Sequence, residues 1–596
     1  MVLQVIDKVR KNKILGGEII SRALAAEGVD TVFGIIDGTY FGLIKSMEPA
    51  GIHLITPRHE ASALHMAGAY ARATGKLGVA IASNGPGVAN ALSGVAVENA
   101  EGNRVLLITS SRRVGITYPD RGGAYQYLPA VEITRPMTKL SVFVPSADRL
   151  AELLRQAIRV AFTGRPGVVH VDVPESIMNA KLDPQAGWFR EPAQYRALAP
   201  LAAPADQVAR AAELLRAAKR PLIHAGSGVV HAMADVELDR VASLLKTPIT
   251  TSWGARCVVD ERIAESVPMP YVDAVNAARN DADLVLVLGS RLGETDFWGK
   301  APYWATPDQQ AIIQVDLDPE ILGANRPTEL AIQADVKAFL GQLAAALEAD
   351  PVPTARLRER TAQIKKLNGM KTARRAELDK HLKDDGVPMH PAHVPTVAQQ
   401  VFDEDAIIVI DGGNTAIWSN FYHQVRVPHT MLGTPKMGML GAGVGQALGA
   451  KAAHPDRQVY CIIGDGAMGF HQQEIETAVR NHLPVVYIVL CDRQWGMVKI
   501  NQSFALKPVK TLVMKALDPS ETINTELSET RFDELARAMG AYGERVADPA
   551  GLKGAMERAI ASGQPAVIHV DVDRTKHMWA PNLKTFKDMH AEPEGK

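Results

Sequence analysis

The chain contains 596 residues, of which 46% are hydrophobic and 22% are charged, and its formal net charge is -1. This length predicts about three or four domains, and the balanced charge creates no field that favours nucleic acid or an anionic membrane. The cysteines, Cys257, Cys461 and Cys491, are widely spaced, so we expect neither a disulfide framework nor a cysteine zinc site. The N-terminus lacks an apolar h-region, and no run approaches the roughly 18 apolar residues that span a bilayer, which predicts a cytoplasmic protein.

Three α/β segments follow one another along the chain. From 12 to 185, strand-like runs such as LGVAIAS and GVVHVDVP alternate with helical patterns such as EASALHMAGAYARATG, which predicts a parallel sheet with covering helices. A linker leads to a similar segment at 206–345, and a charged helical connector leads to a third at 390–572. A polar tail at 573–596 is predicted to be neither strand nor regular helix. The expected fold class is therefore α/β, with three doubly wound parallel-sheet domains plus a C-terminal extension.

Two apolar strands of the third segment end in acidic residues. Asp465 lies between Gly464 and Gly466 where a strand meets a helix, and Asp492 ends the next strand. Neighbouring parallel strands place their carboxyl ends along one edge of a sheet, where two carboxylates can share a divalent cation. Glycines there let backbone N–H groups approach an anion. The pattern predicts a magnesium and phosphate site, with a simple turn and helix cap as the alternative.

The GDG run, followed after the next apolar strand by a polar pair, resembles the cofactor motif of thiamine diphosphate (ThDP) enzymes. The run TPRHEASALHMAGAYARATGKLGVAIASNGPGVANAL is similar to the pyrimidine-domain signature of the acetolactate synthase-like group. The runs LGTPKMGMLGAGVGQALGAK and IDGGNTAIWSNFY are similar to its segments around the bent cofactor and the diphosphate. The resemblance extends from about 12 to 572 and implies the domain order pyrimidine-binding, central and diphosphate-binding. In some members the central domain binds the nucleotide of CoA.

The resemblance implies ThDP and Mg²⁺ as cofactors and assigns roles to several residues. Glu60 would contact N1′ of the aminopyrimidine, although it could also be only a helix N-terminal acid. Leu440 would wedge between the two cofactor rings. Asp465 and Asp492 would ligate magnesium through their side chains and Gln494 through its carbonyl, although the family usually has asparagine where this chain has Asp492. The other implied cofactor contacts are Asn84, Gly413, Asn414, Thr415, Gly466 and Ala467.

Further residues are candidates for chemistry near the cofactor. Gln126 matches a glutamine that faces the cofactor in related enzymes, with a surface role as the alternative. Gln494 would lie near the reacting atoms, but a glutamine cannot transfer a proton, so a base there must be another group or the chain carries a substitution. We favour His59 over His471 as an acid–base partner. Arg291 could pair with a CoA phosphate, although an ordinary surface ion pair is favoured.

The predicted function is a ThDP-dependent lyase that cleaves a 2-hydroxyacyl-CoA to formyl-CoA and a ketone or aldehyde. The whole pattern, tail included, resembles the 2-hydroxyisobutyryl-CoA lyases of actinobacteria. The central segment lacks the glycine- and methionine-rich loop of acetolactate synthases, which argues against FAD. The alternatives are an acetolactate synthase-like carboligase, an oxalyl-CoA decarboxylase-like enzyme, and a cofactor-binding subunit without activity.

The tail and the assembly complete these expectations. The tail at 573–596 could close over a large substrate as a lid, or it could pack on a neighbouring subunit. Because the resemblance implies that Glu60 acts on cofactor held by Asp465 and Asp492 of a partner subunit, we expect at least a homodimer, and a homotetramer in keeping with the group. The expected substrate is a small acyl-CoA molecule, and no nucleic-acid or membrane partner is expected.

Overall fold

The computed structural model describes residues 13–117, 119 and 122–588. The described chain divides into two compact units. The first unit comprises the described residues up to Ala199 together with Val444–Pro455 and His471–Leu483. The second unit comprises Pro200–Gly443, Asp456–Phe470 and the described residues from Pro484 onward.

Strands and helices alternate along most of the described chain. The strands are β1 (Ile14–Leu15), β2 (Thr31–Gly34), β3 (His53–Ile55), β4 (Gly78–Ala82), β5 (Val105–Ser111), β6 (Leu140–Phe143), β7 (Val168–Pro174), β8 (Lys181–Leu182), β9 (Pro221–Ala225), β10 (Ile249–Thr251), β11 (Leu284–Leu288), β12 (Ala311–Asp316), β13 (Leu330–Gln333), β14 (Ile407–Asp411), β15 (Met431–Leu432), β16 (Val459–Gly464), β17 (Val485–Cys491), β18 (Tyr542–Val546) and β19 (Ala566–Asp571). The α-helices are α1 (Gly16–Ala26), α2 (Phe41–Met47), α3 (Glu60–Thr74), α4 (Pro86–Glu101), α5 (Val114–Thr117), α6 (Ala130–Thr134), α7 (Ala147–Phe162), α8 (Glu175–Met178), α9 (Ala205–Ala217), α10 (Ser227–Ala232), α11 (Asp235–Leu245), α12 (Val272–Asp281), α13 (Val336–Ala349), α14 (Thr354–Leu378), α15 (His393–Val401), α16 (Asn414–Tyr422), α17 (Ala442–Ala453), α18 (Asp465–His471), α19 (Glu474–Arg480), α20 (Gly496–Leu506), α21 (Pro508–Met514), α22 (Phe532–Ala538), α23 (Pro549–Ala561), α24 (Arg574–Met578) and α25 (Leu583–Asp588).

The first unit is built on a six-stranded parallel sheet in the order β3-β2-β4-β5-β7-β6. Strands β4 and β7 are buried at every residue, as continuous apolar strands of a parallel sheet covered on both faces are. Helix α7 packs on this core through Leu150, Leu154 and Ile158, which are four residues apart and lie on one face. The small antiparallel pair β1-β8 lies in the same unit.

The second unit contains two parallel sheets. The five-stranded sheet has the order β10-β9-β11-β12-β13, and the six-stranded sheet has the order β15-β14-β16-β17-β19-β18. In the latter, β16 and β17 pair in register from Val459 with Val485 to Gly464 with Leu490. Both strands therefore end at the same edge of the sheet, and the segments that follow them begin side by side.

The predicted α/β class with three parallel sheets is confirmed, and the charged connector forms the long helix α14. The boundaries at 12–185, 206–345, 390–572 and 573–596 stay predictions, and residue 12 and residues 589–596 lie outside the described residues. The three cysteines are buried and free, as expected. Among the residues that the structure describes, no helix is both long and apolar enough to cross a bilayer.

The prediction that the tail has no regular structure was wrong for its described part. Residues Arg574–Met578 and Leu583–Asp588 form the short helices α24 and α25. The side chain of Asp573 caps α24 by accepting a hydrogen bond of 2.9 Å from the Lys576 N–H. Helices of five and six residues are too short to show a repeating apolar stripe, so the sequence pattern did not reveal them.

Candidate active site

Glu60 is the first residue of α3 in the first unit, and only 6% of it is exposed. Its Oε2 accepts a hydrogen bond of 3.0 Å from the side-chain amide of Asn90. Gly87, near the start of α4, lies beside the other oxygen, since a Cβ built at Gly87 would lie 3.3 Å from Oε1. The carboxyl group is therefore enclosed and held by one amide, and its contact with the aminopyrimidine of the cofactor stays a prediction.

His59 is the N-cap residue of α3, directly before Glu60. It has extended backbone angles, and its Nδ1 accepts a hydrogen bond of 3.1 Å from the Ala61 N–H. Its ring lies 5.4 Å from that of His471, whose pKa is lowered to about 4 by burial and then by the neighbouring histidines. The structure thus gives His59 the role of a helix cap, and its role as acid–base partner stays a prediction.

Asn84 and Gln126 lie on two separate turns of the first unit that contact each other. The Asn84 amide donates a hydrogen bond of 3.2 Å to the Gln126 carbonyl, and Asn84 is 4% exposed. Its Oδ1 has no hydrogen-bond partner within the described ranges, so this buried acceptor is available to a ligand. Between them, Gly85 has a φ of 62°, and a Cβ there would lie 2.4 Å from the Gln126 oxygen, so only glycine fits. The Gln126 side chain is exposed, and its contact with the cofactor stays a prediction.

In the second unit, Asp465 and Asp492 follow β16 and β17 at the shared sheet edge. Asp465 accepts 2.7 Å hydrogen bonds from the N–H groups of Gly466, through Oδ1, and of Arg493, through Oδ2. Burial, followed by the negative charge of Asp492, raises the pKa of Asp465 to about 6. Two neighbouring carboxylates in such a setting repel each other, and a divalent cation would relieve the repulsion.

Asp492 is 2% exposed and is held by two side chains. Its Oδ2 accepts a hydrogen bond of 3.1 Å from Nε2 of Gln494 and lies 2.7 Å from Nδ1 of His577. The Gln494 amide also donates to the Arg574 carbonyl, and the Gln494 carbonyl accepts from the Gly496 N–H at 2.9 Å. Gln494 is therefore tied to Asp492 and the tail, and its roles as metal ligand and substrate contact stay predictions.

Helix α16 begins after Gly413, and its N-terminus lies at the same sheet edge. Asn414 and Thr415 are 3% and 1% exposed. Neither Oδ1 nor Nδ2 of Asn414 has a hydrogen-bond partner in the part of the chain that the structure describes. A Cβ built at Gly496 would lie 2.7 Å from that amide nitrogen and 3.3 Å from Oδ2 of Asp492, so glycine keeps this space open. An unpaired buried amide beside a carboxylate pair and a helix N-terminus fits a metal-bound diphosphate.

The remaining implied contacts lie on the flanking turns. Gly466 is closed in by Trp495, since a Cβ there would lie 2.7 Å from the indole ring, and Ala467 is buried behind it. Leu440 is half-buried in the turn before α17. That turn is fixed to the end of β14 because Oδ2 of Asp411 accepts a hydrogen bond of 2.8 Å from the Gly443 N–H. The roles of Gly466, Ala467 and Leu440 toward the cofactor stay predictions.

His577 is a site residue that the sequence analysis missed. It is 4% exposed, its Nε2 lies 3.1 Å from Oγ1 of Thr415, and its carbonyl accepts a 2.9 Å hydrogen bond from Nε1 of Trp418. Together with the contact to Asp492, these bonds place α24 against the predicted metal site. The sequence signal for this helix is Asp573, a residue type that favours a helix N-cap; His577 is a buried residue of the helix that follows.

A cavity of about 50 Å³ lies between the five-stranded sheet, α16 and the tail within the second unit. Its walls are mostly apolar, and the tail contributes Pro581, Asn582 and Thr585. Helix α16, which carries Asn414 at its start, contributes Ile417 and Phe421. The tail therefore forms part of a pocket that extends from the same helix as the predicted diphosphate site.

The loop after β11 shapes another wall of this cavity through Phe297, which has a φ of 54°. Asp296 fixes that loop because its Oδ2 accepts a hydrogen bond of 2.6 Å from Ser252 and its Oδ1 lies 3.3 Å from Nε2 of His224. Burial raises the pKa of Asp296, but His224 and then Arg279 outweigh that effect and hold the pKa below its ordinary value. Arg291 on the same loop is exposed; a surface ion pair stays the predicted role and pairing with a CoA phosphate stays the alternative.

Glu529, His569 and Asp571 form a second group of potential metal ligands in the second unit. The guanidinium of Arg545 bonds to both carboxylates at 2.7 Å, so the group is explained as an ion-pair cluster.

Three family models match this chain. Residues 14–132 match the N-terminal TPP binding domain of thiamine pyrophosphate enzymes, residues 208–343 match their central domain, and residues 411–570 match their C-terminal TPP binding domain. The first range contains Glu60 and the last contains Asp465 and Asp492.

Comparison with known proteins finds relatives along nearly the whole chain. A probable acetolactate synthase of Mycobacterium bovis is 31% identical over 571 residues, which cover 94% of this chain and 95% of the relative. A probable acetolactate synthase large subunit of Methanocaldococcus jannaschii is 28% identical over 572 residues, which cover 94% and 92%. The acetolactate synthase isozyme 2 large subunit of Escherichia coli is 27% identical over 576 residues, which cover 95% and 96%.

Proposed function

Because the chain belongs to the thiamine pyrophosphate enzymes of the acetolactate synthase-like group, we propose that it makes or breaks a carbon–carbon bond beside a carbonyl group. ThDP is its cofactor, and Mg²⁺ is the usual partner metal of the family. When bound, ThDP supplies an acidic ring carbon and an electron sink for the bond that changes. The observation that supports the site assignment is the unpaired buried amide of Asn414, which faces the space beside Gly496 that Asp492 also faces.

Each residue has a defined task in this proposal. Asp465 and Asp492 hold the metal, and the Asn414 amide with the N-terminus of α16 binds the diphosphate. Glu60 shares a proton through Oε1, the oxygen that Asn90 does not bond, while Asn90 keeps the carboxyl group oriented. The buried position of Glu60 keeps water away from that proton.

We propose more specifically a 2-hydroxyacyl-CoA lyase, and the position of the tail beside the cavity supports this proposal. Pro581, Asn582 and Thr585 line the cavity that α16 also forms, so the tail can contact a substrate that extends beyond the cofactor. In the reaction, the bond between the thioester carbon and the hydroxyl-bearing carbon breaks. The hydroxyl group loses its proton, and the carbon that bears it becomes the carbonyl carbon of a ketone or aldehyde. The thioester carbon gains a proton to give formyl-CoA.

Acetolactate synthase-type carboligation is the second candidate, and the similarity to known proteins favours it. The relatives named above are named as acetolactate synthases, and the match covers more than nine-tenths of the length of each. Such a reaction joins two 2-oxo acid molecules with loss of carbon dioxide. It would leave the tail residues of the cavity without a direct role in substrate binding.

A self-associated enzyme belongs to the same proposal. Relatives in Methanocaldococcus jannaschii and Escherichia coli are named as large subunits, which supports assembly into multimers. We propose at least a homodimer, and a homotetramer as the favoured state, in which Glu60 of one subunit serves cofactor held by another. A cytoplasmic location and a small-molecule substrate complete the proposal.

The test is product chromatography after mixing the purified protein with ThDP and Mg²⁺. One incubation receives 2-hydroxyisobutyryl-CoA and a parallel one receives pyruvate, with the Asp465→Ala variant as the control for cofactor dependence. Formyl-CoA and acetone would support the lyase. Acetolactate from pyruvate, with the CoA ester untouched, would support the carboligase. If neither product forms while ThDP is bound, both candidate activities are overturned, which leaves an oxalyl-CoA decarboxylase-like enzyme or a subunit without activity.

A further inference from the structure

A histidine from the tail touches a residue predicted to ligate the metal. Nδ1 of His577 lies 2.7 Å from Oδ2 of Asp492, and Nε2 lies 3.1 Å from the Thr415 hydroxyl. With its proton on Nδ1, the ring donates to the Asp492 carboxylate, which accepts. The ring is fixed at both nitrogens and buried, which is the geometry of a side chain that orients another.

The side chain that His577 contacts is a carboxylate that lies near a second one, since burial, and then the negative charge of Asp492, raise the pKa of Asp465. The charge of Asp492 would also lie beside an anionic diphosphate. Within the described residues, the hydrogen bonds to the Asp492 carboxylate come from Gln494 and His577, and both fall on Oδ2. Because both donors hold Oδ2, Oδ1 is the oxygen that could ligate a cation.

We propose that His577 is a positioning residue for Asp492, so that the short tail helix α24 is part of the metal site. The inference rests on the assignment of Asp465 and Asp492 as metal ligands in the proposed function. The coupling free energy between two linked equilibria is the same in both directions. Metal binding therefore stabilises the docked position of α24 as much as docking strengthens metal binding.

Contacts away from Asp492 also anchor α24, among them the ion pairs of Arg574 with Glu526 and of Lys576 with Asp384. The His577 carbonyl accepts from Trp418, and Met578 packs with Ile500 and Leu583 in a small apolar cluster. Arg574 donates a hydrogen bond of 2.8 Å to the Asp492 carbonyl. Two of the residues of this five-residue helix therefore bind the same aspartate, which makes its position sensitive to what Asp492 binds.

The chain offers a matched set of variants at this position. In His577→Asn the amide nitrogen takes the place of Nδ1 and can still donate to Asp492. In His577→Gln the amide takes the place of Nε2 and keeps the contact to Thr415 but not the one to Asp492. We expect calorimetric titration with Mn²⁺ in the presence of ThDP to show at least about tenfold weaker metal binding for His577→Ala and His577→Gln, and less than about threefold for His577→Asn.

Double variants test whether His577 acts through the charge of Asp492. In an Asp492→Asn background, His577→Ala should weaken Mn²⁺ binding by less than about threefold, because the carboxylate that His577 positions is gone. An equal, tenfold loss in both backgrounds would overturn the proposal, and so would unchanged Mn²⁺ affinity in His577→Ala. The variant Asp465→Ala distinguishes the site assignment from the role of His577. If Asp465→Ala binds Mn²⁺ normally, the site assignment is wrong. If Asp465→Ala loses Mn²⁺ binding while the His577 variants keep it, only the role of His577 is wrong.

Hydrogen exchange of the unaltered protein gives a second test that does not depend on the folding of variants. Backbone amides of residues 574–578 should exchange at least about threefold more slowly when Mg²⁺ and ThDP are added together. Exchange of these amides at the same rate with and without Mg²⁺ and ThDP would overturn the coupling between the tail and the metal site.

Discussion

The side-chain amide of Asn90 donates a 3.0 Å hydrogen bond to Oε2 of Glu60 and leaves Oε1 facing Gly87. The arrangement joins the starts of two consecutive helices, α3 and α4, in the first unit. The Asn90 amide provides a hydrogen-bond donor for Oε2 and thereby fixes the direction of Oε1. The proton chemistry assigned to Glu60 can therefore be tested apart from its packing.

The first prediction concerns Glu60→Gln. Glutamine keeps the size of the side chain and an acceptor for Asn90, but it cannot take up a proton. The variant should fold and bind ThDP, while exchange of the proton at ThDP C2 should slow by at least about a hundredfold. The measurement is proton NMR of ThDP after timed incubation in deuterated buffer and acid quench. Asn90→Ala, which keeps the carboxyl group, should show a smaller loss, and unchanged exchange in Glu60→Gln would remove Glu60 from the mechanism.

Asp465→Ala tests the metal site. The substitution removes a carboxylate ligand and the acceptor for the N–H groups of Gly466 and Arg493. Calorimetry should show that Mg²⁺-dependent ThDP binding weakens by at least about a hundredfold. Glu529→Ala, in the Arg545 cluster, is the control and should bind ThDP normally. Normal ThDP affinity in Asp465→Ala would show that the metal is held elsewhere.

The sequence predicted the sheets and the edge of the site because both follow simple patterns. Continuous apolar runs such as those of β16 and β17 form buried parallel strands, and parallel strands bring Asp465 and Asp492 to one edge. His577 could not be predicted this way, since its position depends on a five-residue helix that tertiary contacts stabilise. The pairing of the Gln494 amide with Asp492 likewise depends on a residue in αL conformation, Arg493, which has no sequence signature.

A shortened chain tests the proposed role of the tail in substrate binding. Ending the chain after Ala580 removes the cavity residues Pro581, Asn582 and Thr585 but keeps His577. If the tail binds an acyl-CoA substrate, its KM should rise by about tenfold, while affinity for Mg²⁺ and ThDP changes by less than about threefold. Steady-state kinetics with 2-hydroxyisobutyryl-CoA and calorimetry with ThDP measure the two quantities. An unchanged KM would assign the tail a structural role only.

The buried pair Arg256 and Glu261 predicts a large effect on stability. Nη2 of Arg256 donates to Oε2 of Glu261 at 2.8 Å, and both residues are at most 5% exposed. The same carboxylate oxygen accepts from the Val425 N–H at 2.9 Å. Glu261→Gln leaves the guanidinium buried without its counter-charge and should lower the free energy of unfolding by about 3–5 kcal/mol.

Urea unfolding followed by tryptophan fluorescence measures this change, and an exposed ion pair supplies the control. Glu404 pairs with Arg262 on the surface, so Glu404→Gln should lower the free energy of unfolding by less than about 1 kcal/mol. Equal effects of Glu261→Gln and Glu404→Gln would contradict the importance of the buried pair.

His423 predicts a loss of stability in mild acid. Burial, and then the positive charges of Arg256 and Arg426, lower the pKa of this histidine to about 3 in the folded protein. The unfolded chain takes up the proton below about pH 6.5, whereas the folded chain does not, so stability is fully present above that pH and is lost as the pH falls. At about pH 5 the loss from this residue is about 2 kcal/mol. His423→Leu, which cannot be protonated, should therefore lose less free energy of unfolding than the unaltered protein when urea titrations at about pH 7.5 and about pH 5 are compared. Parallel losses in both proteins would show that other groups account for the acid sensitivity.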